Sequence, residues 1–217
     1  FNKELLPAAL QLVYQALRTP LQASDSQGSD HLVMPGGIVS GKRQQAEMSF
    51  IYPIPENVHP LLHRGDIQTS VGDNAGYSQP RFIAQRGYLQ GLIDLVFEHK
   101  GKTYMLDWKS DRLPSFDEAA VESHVEANYL LQAKVYVLAL LRLLGLTNQE
   151  QYEESFGGII YAFIRGIGPS QGKENSPGLW FSRPSWTEVC IWEKDFLKRR
   201  EWGGNVINSE YSKEQNR

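Results

Sequence analysis

One stretch decides the fold of this chain: Gly91-Leu-Ile-Asp-Leu-Val-Phe-Glu-His-Lys-Gly-Lys-Thr-Tyr-Met-Leu-Asp-Trp-Lys109. Two apolar, alternating runs flank Lys100-Gly101, and this pattern predicts two antiparallel strands joined by a tight turn, with glycine supplying the positive φ. If the turn has two residues, the register brings Asp94 directly opposite Asp107. We therefore predict a β-hairpin with two facing carboxylates.

One face of this hairpin is predicted to be a core wall, because successive side chains of a strand point to opposite faces. The apolar side chains of the two strands share that face: Ile93, Leu95 and Phe97 on the first strand, and Tyr104, Leu106 and Trp108 on the second.

The other face carries Asp94, Asp107 and Lys109. Facing Cβ atoms in a sheet lie roughly 4.5–5.5 Å apart, and like charges there are destabilising. A divalent cation between the two carboxylates would account for them, since hard cations bind oxygen ligands. Lys109 would point into the same site. Two other interpretations stay open at this point: a surface charge cluster of little energetic value, and a different turn length that separates the two carboxylates.

Composition bounds the class of protein. The chain has 217 residues, 41% of them hydrophobic and five of them Trp, which suits one domain with a sizeable core. A net charge of −3 and a pI of about 6.0 give no bulk signature of nucleic-acid binding, so such binding would depend on local basic groups or metal ions. The single cysteine, Cys190, excludes an internal disulfide and fits a cytoplasmic setting.

Nothing in the sequence resembles a membrane span or a signal peptide. The chain begins at Phe1 without Met, and we expect it to be a fragment of something longer.

The remaining segments predict an α/β fold, a mixed sheet with helices packed on it. In chain order they are a packing helix over Leu5–Thr19, a loop over 22–45, a strand over Ala46–Pro55, an irregular stretch over 56–86, a turn over Asp111–Ser115, a long helix over Phe116–Leu144, a strand over Phe156–Phe163, a polar loop over 165–178, a short strand over Leu179–Phe181, a capped helix over Ser185–Trp202 and a frayed tail over 203–217.

Three more polar residues are candidates for the site. Glu47 lies on the strand before the hairpin, although a lone carboxylate there is also typical of a solvated strand end. Gln132 and Tyr136 lie one turn apart on the long helix and share a face, from which they could reach the polar face of the hairpin or a DNA backbone. The alternatives for these two are a helix-surface pair or a partly buried tyrosine.

Taken together, these motifs resemble the RecB-type nucleases of the PD-(D/E)XK superfamily. The similarity runs from about Leu5 to Trp202, and it is closest to the C-terminal nuclease domain of exodeoxyribonuclease V beta subunits. It rests on six segments: residues 46–54, Gly91–Phe97, Leu106–Ser110, Gln132–Tyr136, residues 156–166 and Gly178–Pro184.

The resemblance implies a restriction-endonuclease-like mixed sheet flanked by helices. It also implies roles for individual residues. Asp94 and Asp107 would bind Mg²⁺ with the backbone carbonyl of Trp108, and Lys109 would be the catalytic lysine, which positions or activates the attacking water. Three supporting residues would be the acidic residue of the earlier strand and the two polar residues of the helix motif: Glu47, Gln132 and Tyr136.

The activity implied is that of a Mg²⁺-dependent DNA exonuclease domain from a helicase–nuclease that acts in double-strand break repair and recombination. DNA and subunits like RecC and RecD would be its partners, and ATP would bind only a helicase part outside this chain. The alternative is a nuclease-like module without catalysis that binds DNA or partner subunits. A third possibility, an acid/base carboxylate pair such as a glycosidase uses, is disfavoured by the lysine and by the helix motif.

The chain departs from the family in one respect. RecB-like nucleases carry a metal-binding histidine on a helix upstream of the matched region, and none of the five histidines here fits that context: His31, His59, His63, His99 and His124. We therefore expect the first helix of the fold to be missing from this chain.

Overall fold

A six-stranded mixed sheet built around the predicted hairpin forms the centre of the computed structural model, which describes residues 6–25, 28, 30–53, 82–85, 88–169 and 175–197. The hairpin consists of β5 (Tyr88–His99) and β6 (Lys102–Lys109). Lys100 and Gly101 form its turn with φ values of 50° and 80°, as a two-residue turn with two positive φ angles requires. His99 pairs with Lys102, and the ladder continues in that register to the pair of Leu95 and Leu106, so the predicted register is confirmed over this part.

The other strands extend the sheet on both sides of the hairpin. β3 (Lys42–Pro53) pairs antiparallel with β5, β7 (Phe156–Phe163) pairs parallel with β6, and β8 (Leu179–Ser182) pairs antiparallel with β7. A short strand, β4 (Phe82–Gln85), pairs with the first residues of β5, on the edge that faces away from β3. β4 lies within the segment predicted to be irregular, so that prediction is wrong for these four residues.

The helices cover one face of the sheet in the crossover from β6 to β7 and after β8. They are α2 (Glu118–Asn128), α3 (Leu130–Leu143), α4 (Gln149–Ser155) and α5 (Trp186–Leu197). The predicted cap of α5 is confirmed, since Ser185 Oγ accepts from the backbone N–H of Glu188 at 3.2 Å and Glu188 Oε2 accepts from the backbone N–H of Ser185 at 2.8 Å. α4 was not predicted.

The predicted single helix over Phe116–Leu144 begins at Glu118 and is interrupted at Tyr129. Tyr129, with φ −126° and ψ −5°, ends α2 and precedes α3. The break has a tertiary cause, because the side chain of Tyr129 is fully buried and its hydroxyl bonds to Asp111. The helix propensity of the residues around Tyr129 carries no information about that contact.

The predicted loop over 22–45 is also wrong in part. It contains most of β1 (Leu21–Ser24), all of β2 (His31–Met34), a 3₁₀ turn (Ile38–Ser40) and the start of β3. β1 and β2 form a separate antiparallel hairpin. The polar composition belongs to its turn, whereas alternate apolar residues are buried: Leu21, Ala23, Leu32 and Met34.

Two hydrophobic clusters lie on opposite faces of the sheet. One packs β5, β6 and β7 against α2, α3 and α4. The other packs the predicted core wall of the hairpin, including Leu95, Phe97 and Leu106, against the β1–β2 hairpin. The wall is therefore confirmed except at Ile93, which lies in the first cluster on the helix side of the sheet. The face bearing Asp107 and Lys109 lies under the helices.

The first helix, α1 (Leu6–Arg18), occupies the predicted range, but its predicted packing role is wrong for most of its length. Ala16 is its one buried residue, whereas Leu10 and Tyr14 are 60% and 61% exposed. Of the described helices, none has the length and apolar character needed to cross a membrane. His59, His63 and the tail over 203–217 lie outside the described residues.

Candidate active site

Asp94 lies at a gap in the sheet. On one edge of β5, β4 pairs as far as Gly91 and β6 pairs from Leu95 onward, so Asp94 falls between the two ladders. Its carboxylate oxygen Oδ2 accepts a hydrogen bond from the backbone N–H of Trp108 at 2.8 Å. The backbone N–H of Trp108 thus bonds to a side chain rather than to a neighbouring strand. This bond fixes the Asp94 carboxylate beside the end of β6.

Asp107 and Lys109 lie on the same face of β6 and form a buried ion pair. Each residue is 3% exposed, and Lys109 Nζ lies 2.7 Å from Asp107 Oδ2. Burial lowers the pKa of the Lys109 ammonium below its ordinary value, and the carboxylate of Asp107 opposes that shift by favouring the charged form. Burying both charges of this ion pair costs desolvation energy. A pair buried to this extent is therefore more typical of a functional site than of a contact that stabilises the fold.

Gln132 and Tyr136 extend this network across α3. Lys109 Nζ donates to Gln132 Oε1 at 2.7 Å, Gln132 Nε2 donates to the Tyr136 hydroxyl at 3.0 Å, and that hydroxyl donates to the carbonyl of Leu92 at 2.8 Å. Leu92 lies in the same gap of β5 as Asp94. The helix pair therefore links the lysine to the gap, and the alternative of a surface pair is excluded because both side chains are buried.

Two aromatic rings complete the surroundings of the lysine. The Lys109 ammonium lies 3.9 Å from the ring centroid of Tyr129 and 4.5 Å from that of Tyr161. Burial raises the pKa of the Tyr161 hydroxyl well above its usual value, so the hydroxyl stays neutral. It donates to the backbone carbonyl of Tyr129 at 3.3 Å. The ammonium is thus held between two acceptors and two ring faces.

Glu47, the third acidic candidate, lies on β3 with an exposed side chain. Its neighbours pair with the neighbours of Asp94, Ala46 with Leu95 and Met48 with Ile93, which places Glu47 beside Asp94 across the two strands. Its φ of 49° lies in the left-handed region, which is uncommon for a residue with a side chain and is found at functional sites.

The oxygen donors suit a hard cation, although the described residues hold no group of three or more His, Cys, Asp or Glu side chains arranged for a metal. Mg²⁺ needs fewer protein ligands than that, since it usually keeps several waters and binds through one or two carboxylates and substrate phosphates. Asp94 and Asp107 are two such carboxylates, and their binding of Mg²⁺ with the carbonyl of Trp108 stays a prediction.

A second buried polar cluster, which sequence reasoning missed, adjoins Lys109. The carboxylate of Asp111 is 2% exposed and accepts from the Tyr129 hydroxyl at 2.9 and 3.1 Å. His124 Nε2 lies 3.4 Å from it. The available signal was the spacing of Asp107, Lys109 and Asp111, but Asp111 was predicted to lie in a turn, and that turn was not expected to be buried.

Chemically, the arrangement can concentrate opposite charges at one place. Carboxylate oxygens beside the gap in β5 can hold a cation, and a fixed ammonium can stabilise negative charge that develops on a phosphate oxygen. Since Lys109 is buried and Asp94 is partly exposed, a substrate would approach from the side of Asp94.

Comparison with known proteins agrees with this geometry. Residues 9–201 match the PD-(D/E)XK nuclease superfamily. The chain is 30% identical over 206 residues to the RecBCD enzyme subunit RecB of Escherichia coli (strain K12), which covers 90% of this chain and 16% of that protein. It is 37% identical over 111 residues to RecBCD enzyme subunit RecB of Haemophilus influenzae, covering 48% of this chain and 9% of that protein.

A third relative, RecBCD enzyme subunit RecB of Mycobacterium tuberculosis (strain H37Rv), is 36% identical over 90 residues, which covers 38% of this chain and 8% of that protein. The chain thus spans less than a fifth of the length of each of these relatives. The chain belongs to the PD-(D/E)XK nuclease superfamily, in which it is a nuclease domain of the RecB type.

Proposed function

We propose that this domain hydrolyses phosphodiester bonds of DNA in a Mg²⁺-dependent reaction and acts as an exonuclease. One observation carries the proposal: Lys109 is fixed by Asp107 and Gln132 at the end of β6, next to the Asp94 carboxylate. A lysine and two carboxylates with these contacts have little value for stability, because desolvating an ion pair offsets its attraction. They suit a reaction in which negative charge develops on a phosphate.

The residues divide into those that would hold the ion and those that place the ammonium. Asp94, Asp107 and the carbonyl of Trp108 would hold Mg²⁺, which when bound lowers the pKa of water and stabilises charge on phosphoryl oxygens. Lys109 directs its ammonium at the reacting phosphate and orients the attacking water. Three supporting residues order this arrangement: Gln132 and Tyr136 through their hydrogen bonds, and Glu47 from the neighbouring strand.

The wider role follows from the relatives, which are named as subunits of a RecBCD enzyme. We propose that the domain works within a longer cytoplasmic helicase–nuclease in double-strand break repair and recombination. ATP would be used by the helicase part of that protein, and subunits like RecC and RecD would be its partners.

A module that binds DNA or partner subunits without cleaving is the second candidate. The observation in its favour is that the described residues include no group of three or more metal-ligating side chains. The retained set of Asp94, Asp107 and Lys109 favours the nuclease, because a module without catalysis has no use for a buried lysine between two acceptors.

The test is a cleavage assay on labelled linear and covalently closed circular single-stranded DNA, with Mg²⁺ or with EDTA. We expect the chain to degrade linear DNA with Mg²⁺ alone, to spare the circles, and to lose activity in Asp107→Asn and Lys109→Met. Asp195→Asn, an exposed carboxylate on α5, is the matched control and should keep full activity.

Cleavage of the circular DNA would show that the domain is an endonuclease rather than an exonuclease. DNA binding without cleavage under all conditions would favour the binding module instead.

A further inference from the structure

The cluster of Asp111, His124 and Tyr129 adjoins the lysine but has no part in the proposed chemistry. The Tyr129 hydroxyl lies within hydrogen-bond distance of both Asp111 oxygens, and His124 Nε2 contacts the same carboxylate. The His124 ring also lies edge-on to the Tyr129 ring, with centroids 5.7 Å apart. A carboxylate that is 98% removed from solvent is costly to bury, so its contacts require an explanation.

Tyr129 is held from several directions at the break between α2 and α3. Its backbone N–H donates to Val125 at 2.8 Å. Its carbonyl accepts from the N–H of Ala133 at 2.9 Å and from the Tyr161 hydroxyl at 3.3 Å. Its hydroxyl is bound to Asp111. The backbone bonds fix the position of the residue, and the hydroxyl bonds to Asp111 fix the orientation of its ring.

That orientation turns the ring face toward the lysine. Lys109 Nζ lies 3.9 Å from the Tyr129 ring centroid, closer than to the ring of Tyr161 at 4.5 Å. The interaction of a cation with a ring face depends on where the face is, and it is stronger when both groups are removed from water. An ammonium has three donors, of which Asp107 and Gln132 each take one. The Tyr129 ring therefore restricts the direction in which the third N–H of the ammonium points.

We propose that Tyr129, with its ring locked by Asp111 and His124, is a positioning residue that sets the direction of the Lys109 ammonium toward the substrate phosphate. This inference rests on the nuclease function proposed above. The helix break coincides with this arrangement, since Tyr129 lies between α2 and α3, its ring faces the lysine and its hydroxyl reaches Asp111.

Four variants separate the hydroxyl, the ring and the carboxylate. Tyr129→Phe keeps the ring and removes the hydroxyl that bonds to Asp111, whereas Tyr129→Leu removes the ring and the hydroxyl. Asp111→Ala removes the acceptor of that hydroxyl, and Asp111→Asn keeps one acceptor oxygen. Tyr152→Phe is the matched control, because the buried Tyr152 hydroxyl donates to the carbonyl of Pro184, away from the lysine. Steady-state cleavage of linear single-stranded DNA gives kcat and KM for each variant, and thermal unfolding verifies that each variant is folded.

NMR of protein labelled with ¹³C-lysine reports on the lysine without needing activity. Protons near a ring face shift upfield, and the Lys109 side-chain signal is assigned by its loss in Lys109→Met. Asp111→Ala should move this signal toward the position of solvated lysines, although both rings are retained. Asp111→Asn and Tyr152→Phe should leave it in place.

In kcat we expect losses of roughly 10–100-fold for Tyr129→Leu and Asp111→Ala, as is typical when a group that orients a catalytic residue is removed, with KM unchanged. Tyr129→Phe should fall between these variants and the parent, and Asp111→Asn should recover most of the activity. A folded Asp111→Ala protein with the parent's kcat, or one with an unmoved Lys109 signal, would overturn the positioning role. If the parent chain cleaves no DNA, the proposed nuclease function fails instead, while the lysine signal still decides whether Asp111 positions the ring and the ammonium.

Discussion

The buried pair of Asp107 and Lys109 gives a quantitative prediction about stability. Asp107→Asn removes the negative charge, keeps the shape of the side chain and leaves the ammonium buried at 3% exposure with the acceptor of Gln132 and two ring faces. Breaking a buried pair by removing one partner costs about 3–5 kcal/mol. The asparagine keeps one acceptor oxygen, so we expect a loss of about 3 kcal/mol in the free energy of unfolding.

For a chain of this length, a loss of that size lowers Tm by about 6–12 °C, at roughly 2–4 °C for each kcal/mol. The assay is urea unfolding followed by circular dichroism, in EDTA so that no bound ion contributes. The double variant Asp107→Asn/Lys109→Met is the control, because it removes the uncompensated charge and should recover most of the loss.

A loss below about 1 kcal/mol in Asp107→Asn would contradict the reasoning, since it would mean that the ammonium is stabilised without its partner. A double variant as unstable as the single variant would do the same, because the defect would then come from packing rather than from charge.

Three shorter predictions concern the site and the scaffold. Gln132→Leu, which loses its buried hydrogen bonds to the lysine and the tyrosine, should lower kcat for DNA cleavage by roughly 10–100-fold with little change in KM. Gly158→Ala should unfold at clearly lower urea than Gly101→Ala: both have positive φ, but a Cβ at Gly158 would lie 2.5 Å from the Phe181 ring, whereas none of the described atoms lies within 4 Å at Gly101. Leu10→Ser, on the exposed face of α1, should change the unfolding free energy by less than about 0.5 kcal/mol, as urea unfolding can verify.

The hairpin and much of its chemistry were accessible from sequence because the responsible rules are local. A two-residue turn and a side-chain period of two fix the register, and the ladder confirms it as far as Leu95 and Leu106. The spacing of one helical turn between Gln132 and Tyr136 placed both on one face, and the structure joins them to Lys109.

What could not be predicted depends on contacts between distant segments. The break at Tyr129 is set by Asp111 and Tyr161, and a helical pattern carries no trace of either. The strands β1 and β2 are short, and the turn between them is polar. They form because every second residue packs into the hydrophobic cluster against the sheet. The opposite error concerns α1, whose amphipathic pattern predicted burial that the described residues do not provide.

The most direct test of the proposed active site is calorimetric titration of Mg²⁺ into the chain and into Asp94→Ala, Asp107→Ala and Asp117→Ala. Asp117 is the control carboxylate, since it caps the exposed start of α2. We predict binding by the parent and by Asp117→Ala, and loss of binding in both other variants while they remain folded. Binding that survives in both Asp94→Ala and Asp107→Ala would contradict the assignment of these two carboxylates to the metal.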